Sequence, residues 1–178
     1  MIAMAAPQAV AGVELAGVDV DSLGRVRNLN SVLFPVRYTA GFYKSLVLPG
    51  QFARLAFYNG ACVGTITCRK QPLGFADTPA AFVGRGDPPA ADYELYMMTL
   101  GVLAPYRRLG IAQALLASAV EAAAADPTVR RIVLHVQIDN DDALRFYHRR
   151  GFITVRMVER YYKVLDPPHA YLLHYRLR

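Results

Sequence analysis

Apolar positions recur along the chain with two periods, and the switches between them mark out the elements. Residues 13–18 are rich in β-branched side chains and read as an opening strand. Asp21 or Ser22 is placed to cap a helix running toward Phe34, with Val26, Leu29, Val32 and Leu33 on one face. Gly24 weakens that helix and Pro35 ends it. Thr39 can cap a short second helix through Phe42, Tyr43, Leu46 and Val47, before Pro49 and Gly50. Two apolar runs, 53–58 and 61–69, flank Asn59-Gly60, a strong hairpin signal. Residues 70–92 lose all period and carry Pro72, Gly74, Pro79, Gly84, Gly86, Pro88 and Pro89, which predicts an exposed, mobile loop. Residues 93–102 alternate as a strand, and 104–110 form a basic turn containing Pro105. The clearest helix spans 110–126 and stops at Asp126-Pro127. A strand at 131–138 leads into a helix at 141–150, capped at Asp139-Asn140 and closed by Gly151. Runs 152–158 and 170–177 read as the last two strands.

This order predicts an α/β fold with a mixed sheet and helices on both of its faces. With 178 residues the chain has the size of one domain with a real core, and no internal repeat is found. Its 54% hydrophobic and 19% charged content excludes a disordered chain. No stretch is long and apolar enough for a membrane span; 112–125 is Ala-rich and carries Glu121. No Lys or Arg precedes Arg25, which speaks against secretory and mitochondrial leaders and makes the cytosol the expected location, with the nucleus also open to a protein of this size. The net charge of +6 predicts anionic partners: phosphates, nucleotides, acidic peptides or a ribosomal surface. Two cysteines outside any CxxC pair fit a reducing compartment and argue against a structural zinc site. Cys62 and Cys68 sit at even spacing on one predicted strand, hence on one face, as small core residues.

The most informative stretch is 95–112, where a strand enters a basic turn that opens the long helix. Gly110 and the small Ala112 let a ligand approach the backbone. The first helical N–H groups point outward at the positive end of the dipole, and Arg107 and Arg108 add charge. Such a turn can cradle a pyrophosphate. The same pattern also serves as a solvated cationic helix start. It is neither a P-loop nor a dinucleotide fingerprint, since GxxxxGK[ST] and GxGxxG are both missing.

Arg107-x-x-Gly110-x-Ala112 resembles the Q/R-x-x-G-x-G/A acetyl-coenzyme A signature of the GNAT acyltransferase superfamily. Further segments are similar to one family within it, the catalytic subunits of N-terminal acetyltransferase E, also called separation-anxiety proteins. These are Phe34-Pro35-Val36-x-Tyr38, the run from Tyr96 to Gly110, Leu134 to Ile138, Phe146-Tyr147 with Gly151-Phe152, and Tyr161-Tyr162-Lys163. The signature alone is superfamily-level; the Phe-Pro-Val-x-Tyr segment with the double Tyr is far more specific. The resemblance covers most of 13–178. It implies one GNAT domain over 1–178, with a mostly antiparallel sheet of about seven strands splayed at its centre and about four helices.

The resemblance also implies a chemistry. An α-amine has a pKa near 8, so a base of modest strength suffices to ready it for attack on a thioester. The family holds a base water between a Tyr and a His, which correspond to Tyr96 and His135. Taken alone, a mid-strand His reads as a core group. The thioester oxygen needs a donor, expected from backbone N–H groups near Leu100. Acetyl-CoA as cosubstrate, leaving as CoA, is expected on Leu100, Val102, Arg107, Arg108, Leu109, Gly110, Ile111 and Ala112, with Asn140 and Tyr147 near the pantetheine arm and sulfur. Tyr147 could protonate the leaving thiolate or simply pack in the core. No metal is implied. Phe34, Pro35, Val36, Tyr38, Met98, Tyr161 and Tyr162 are the expected peptide site. In the family, the loops carrying the first four and the last two close over the peptide from opposite sides. Aromatic walls suit a retained Met followed by a hydrophobic residue; the same aromatics could equally be core-edge residues.

The implied partners are peptide or nascent-chain N-termini, the auxiliary and catalytic subunits of the N-terminal acetyltransferase A complex, and the ribosome. The basic pairs 107–108, 130–131 and 149–150 are candidates for coenzyme A and for such surfaces, or ordinary surface charge. No basic-aromatic motif of a specific nucleic-acid module is present. Two other readings keep the fold: a lysine acetyltransferase, and a non-catalytic CoA-binding adaptor, which would have no need of Tyr96 and His135. The sequence departs from the family in the long 70–92 loop, in Arg37 where a small polar residue is common, and in Ala112 where Gly is commoner.

Overall fold

The computed structural model describes residues 10–77 and 92–177. Seven strands and four helices follow one another in the expected order. They are β1 (Val13–Gly17), α1 (Leu23–Leu33), α2 (Ala40–Ser45), β2 (Gln51–Tyr58), β3 (Ala61–Pro72), β4 (Tyr93–Val102), α3 (Ile111–Ala125), β5 (Val129–Gln137), α4 (Asp141–His148), β6 (Ile153–Val158) and β7 (Ala170–Arg176). The strands hydrogen-bond in the order β1-β2-β3-β4-β5-β7-β6. The β1–β2, β2–β3, β5–β7 and β6–β7 pairs are antiparallel, and β4–β5 is parallel. The parallel ladder runs only from Tyr93↔Val129 to Tyr96↔Val133 and stops there, as a sheet splayed at its centre requires.

Two compact units divide the chain. Among the described residues one holds 10–70 and 97–122, the other 71–77, 92–96 and 123–177, so β3, β4 and α3 each contribute to both.

In the first unit, α1 and α2 cover one face of β2. Val26, Leu29, Leu46 and Leu55 form its buried cluster, with Phe42, Tyr43, Phe57, Cys62 and Met98 packed around it. Leu55 and Phe57 point to that face, so the even-numbered residues of β2 point away. Gly64 pairs with Ala56 on the opposite face, and a Cβ added to Gly64 would lie 3.3 Å from Leu115 of α3. Helices therefore cover both faces, as expected. Burial of Ile111, Leu115, Leu116 and Ala119 anchors the apolar α3.

Several local readings needed correction. Val32 is exposed, and Asn30 takes its place beside Val26 and Leu29 on the buried side of α1. The reason is angular: Val32 lies about 120° round the helix from Val26, and Asn30 only about 40°. Ser22 stands at the N-cap of α1 without capping it through its side chain. It exchanges hydrogen bonds with Asp19 instead, accepting from the Asp19 N–H at 2.8 Å and donating its own N–H to Oδ1 at 2.9 Å. Hydrogen bonding from the Ser22 side chain and from its N–H holds the Asp19 carboxyl below the usual carboxylate range. Cys62 and Cys68 do not share a face. A bulge between Ala56 and Phe57 shifts the register, pairing Cys62 with Phe57 and Cys68 with Phe52, which point to opposite sides of β2. β3 continues to Pro72, and 75–77 make a 3-10 turn, so the predicted loop begins later than 70; residues 78–91 of it lie outside the described residues.

Capping by Thr39 and Asn140 is as expected. Thr39 accepts from the Phe42 N–H at 3.3 Å, and Asn140 Oδ1 accepts from the Ala143 N–H at 3.1 Å. Among the described residues no helix is long and apolar enough to cross a membrane.

Leu115 is fully buried in α3. Leu115→Ala should lower the unfolding free energy by about 3 kcal/mol, read from the shift of a urea denaturation midpoint.

Candidate active site

Tyr96 closes the β4–β5 ladder, opposite Val133, and His135 follows two residues further along β5. The alternation of β5 puts Val133 and His135 on one face, the face of Tyr96. The Tyr96 hydroxyl lies 3.1 Å from His135 Nδ1. It also lies 2.6 Å from the hydroxyl of Tyr161, which comes from the segment between β6 and β7. The Tyr161 ring stacks on the imidazole, with centroids 4.0 Å apart and planes 13° from parallel. Tyr162 meets Tyr161 edge-on at 4.8 Å and is fixed by its N–H donating to the Pro168 carbonyl at 2.9 Å. The four residues thus make one hydrogen-bonded, stacked group. Tyr96 and His135 are half-buried and Tyr161 is exposed.

A hydroxyl donates one hydrogen bond and accepts two. Tyr96 can therefore donate to one neighbour while accepting from the other. In both arrangements a proton has a continuous path among Tyr161, Tyr96 and His135. The sequence placed Tyr161 in the peptide site and did not anticipate its bond to Tyr96. No spacing rule reports a contact between residues 65 positions apart.

The basic turn of the first unit is built largely by its backbone. Arg108 (φ +64°) and Gly110 (φ +80°) are both left-handed. A Cβ on Gly110 would stand 3.0 Å from Val10 Cγ2. The helical ladder opens with the Ala114 N–H on the Gly110 carbonyl at 3.0 Å, so the amides before it face out of the helix end. Arg107 donates from Nε to the Val102 carbonyl at 3.2 Å, tying the turn to the end of β4. Arg108 and Leu109 are exposed, Ala112 is half-buried, and the Ile111 side chain belongs to the core. A glycine permits close approach of a ligand to the backbone, and outward helical amides are the donors that a phosphate group takes. Leu100 and Val102 lie on β4 ahead of this turn.

Phe34, Tyr38, Phe42 and Tyr43 form an aromatic cluster. Tyr38 stacks on Phe42 at 4.4 Å and meets Phe34 edge-on at 6.3 Å. Val36 is half-buried and Pro35 exposed. A Cβ on Gly101 would lie 2.9 Å from Leu33 Cδ1 and 3.0 Å from the Phe34 ring, so a glycine there lets this loop settle on β4. Met98 packs against the apolar cluster of this unit. Asn140 spends its Oδ1 on the helix cap. Tyr147 is buried and walled by Phe146 at 5.2 Å and Phe152 at 5.3 Å.

The basic pairs prove unlike one another. Arg130 binds Asp92 at 2.6 Å and Arg131 binds buried Glu94 at 2.7 Å, so the second pair is engaged inside its own unit. Arg150 lies 3.7 Å over the Phe146 ring, and burial pushes its pKa down. Arg107, Arg108 and Arg149 remain exposed. Glu94 went unnoticed in the sequence, although a lone carboxylate inside an apolar strand is a legible signal, and Arg131 was read there only as part of a basic pair. Among the described residues no group of three His, Cys, Asp or Glu is placed to hold a metal ion.

The Acetyltransferase (GNAT) family model matches residues 25–152. The chain is 37% identical over 166 residues to N-alpha-acetyltransferase 50 of Danio rerio, covering 93% of this chain and 89% of that one. It is equally 37% identical over 166 residues to the probable N-acetyltransferase san of Drosophila melanogaster, covering 93% and 82%. Among solved structures, Arabidopsis thaliana Naa50 in complex with the bisubstrate analogue CoA-Ac-MVNAL superposes with a TM-score of 0.78 at 35% identity, covering 93% of this chain and 99% of that one. The chain belongs to the GNAT acetyltransferase family, among its N-alpha-acetyltransferases.

Two outcomes follow from the local geometry. Gly110→Ala forces a left-handed residue against Val10, a strain of about 1–2 kcal/mol, and should raise the KM for acetyl-CoA roughly tenfold in initial-rate assays. Burial raises the pKa of both thiols, slightly exposed Cys62 and wholly buried Cys68. Mass spectrometry after brief alkylation of the native protein should find Cys62 modified well ahead of Cys68.

Proposed function

We propose that this acetyl-CoA-dependent N-alpha-acetyltransferase acts on protein N-termini that keep Met and follow it with a hydrophobic residue, and that Tyr96 and His135 accept the amine proton. The observation that carries the reading is the Tyr96 hydroxyl, held 3.1 Å from His135 Nδ1 and 2.6 Å from the Tyr161 hydroxyl.

Acetyl-CoA supplies the activated acyl group as a thioester. The work left to the protein is to hold the two reactants and take one proton from the amine. An α-ammonium group with a pKa near 8 holds its proton only weakly at neutral pH, so a Tyr–His pair with a relaying water is strong enough to take that proton. Tyr96 and His135 hold the water from neighbouring strands, and Tyr161, stacked on the imidazole, keeps the ring in one orientation. The backbone near Leu100 donates to the thioester oxygen as charge builds there. The turn from Arg107 to Ala112 receives the pyrophosphate, and Val102 lies beside the pantetheine arm. Asn140 and Tyr147 stand nearer the sulfur, Tyr147 as proton donor to the departing thiolate. Phe34, Pro35, Val36, Tyr38, Met98, Tyr161 and Tyr162 receive the first residues of the peptide. The Met preference is supported by these apolar and aromatic side chains and by the Met-Val start of the analogue bound by the Arabidopsis relative. The enzyme meets nascent chains in the cytosol, using exposed Arg149 toward the ribosome or a partner acetyltransferase subunit.

Three peptides test the assignment: one with a free Met-Leu start, one with that start blocked and an internal lysine, and one beginning Ser-Ser. Product on the first alone is expected. Product chiefly on the blocked peptide would make the protein a lysine acetyltransferase. Bound CoA with no product on any would make it an adaptor. Tyr96→Phe and His135→Ala should each lower kcat by about a hundredfold or more with the circular dichroism spectrum unchanged; near-normal turnover in both would remove the relay.

A further inference from the structure

The Glu94 carboxylate is fully buried, two residues before Tyr96 and on the same face of β4. It collects five hydrogen bonds. Arg131 donates to Oε2 from Nε at 2.9 Å and from Nη2 at 2.7 Å. Gln71 donates to Oε1 at 2.8 Å, the Ala76 N–H to Oε1 at 2.8 Å, and the Gly74 N–H to Oε2 at 3.2 Å. Arg131 also reaches His174 Nδ1 on β7 at 3.1 Å; since arginine only donates, that nitrogen accepts.

This network lies across the ladder that ends at Tyr96. Glu94 and Arg131 are register partners, two rungs before the catalytic pair. A bulge between Tyr93 and Glu94 interrupts the ladder on its other side. Few backbone bonds are therefore left to fix the spacing of β4 and β5, and parallel bonds are the weaker kind. Two guanidinium N–H groups converge on the one oxygen Oε2, and such charge-assisted bonds in a buried setting are short and strong enough to fix where Arg131 stands against β4. Arg131, Val133 and His135 share one face of β5, so whatever aligns Arg131 also aligns His135.

We infer that Glu94 is a positioning residue for catalysis: with Arg131 it sets the separation of β4 and β5 that brings the Tyr96 hydroxyl to His135, and through Gly74 and Ala76 it fastens the segment after β3 to the same strand. Glu94 touches neither substrate nor the reacting atoms. The inference rests on Tyr96 and His135 being the proton-accepting pair.

The test compares Glu94→Gln with Tyr96→Phe in full-length protein, following kcat, both KM values and the thermal midpoint. The amide keeps the shape of the side chain and loses the charge that grips the fork. A shift of even about an ångström at the Tyr–His pair should lower kcat by roughly ten- to a hundredfold. The KM values for acetyl-CoA and the Met-Leu peptide should stay within about twofold, because binding is not what the pair aligns. Glu94→Gln that folds and keeps the wild-type kcat, while Tyr96→Phe is crippled, overturns the inference and leaves the relay standing. A Tyr96→Phe enzyme of normal activity overturns the relay itself, and the inference with it. If Glu94→Gln does not fold, Arg131→Lys is read instead: it keeps the charge and loses the fork. A fall in kcat at constant KM supports the positioning role, and an unchanged kcat removes it.

Discussion

The parallel ladder between β4 and β5 has four registered pairs, and the last of them is Tyr96↔Val133. Two acidic residues on β4 or just before it, Asp92 and Glu94, face Arg130 and Arg131 on β5. The Tyr96–His135 contact depends on this short stretch. A parallel pair brings side chains of two distant segments together without a turn to set their register. Here the register is set by a bulge, by charge and by burial, and the hydroxyl of Tyr96 reaches the imidazole as a consequence. Tyr161 then closes over both from a third segment.

The opposite end of β4 obeys a different constraint, close approach of backbone. Gly64 sits 3.1 Å from the Gly101 carbonyl by the measure of an added Cβ, and Gly101 takes Leu33 and Phe34 against it. Gly110 then turns the chain into α3 with a positive φ. Side chains at any of the three would displace a neighbour. Arg107 is used in part to hold this turn, donating from Nε to the Val102 carbonyl. Charge and backbone play separate parts in this segment, Arg107 turning inward to the end of β4 while Arg108 stays exposed.

The bulge in the β2–β3 hairpin shows how one register shift redistributes a strand. Counting by twos put Cys62 and Cys68 together. The extra residue places Cys62 with the α1–α2 cluster and Cys68 on the other side, where its thiol is wholly buried. Thr67 meets the buried Thr99 of β4 hydroxyl to hydroxyl at 2.7 Å, a bond that offsets part of the cost of burying both.

The order and type of every regular element could be read from the sequence, because periodicity, the Asn59-Gly60 turn and the caps at Thr39 and Asn140 are local signals. So could the family, because its signature lies in one contiguous run around Arg107 and Gly110. The candidate pair Tyr96 and His135 was legible only through that resemblance; nothing in the spacing of two residues 39 positions apart puts a hydroxyl 3.1 Å from a ring nitrogen. The tertiary structure alone decided that Tyr161 joins the pair, that Asn30 and not Val32 faces inward, and that Arg130 and Arg131 serve internal ion pairs. The physical reason is common to all three. Local sequence sets backbone preference, whereas contacts between segments are set by strand register and burial, which belong to the folded chain as a whole.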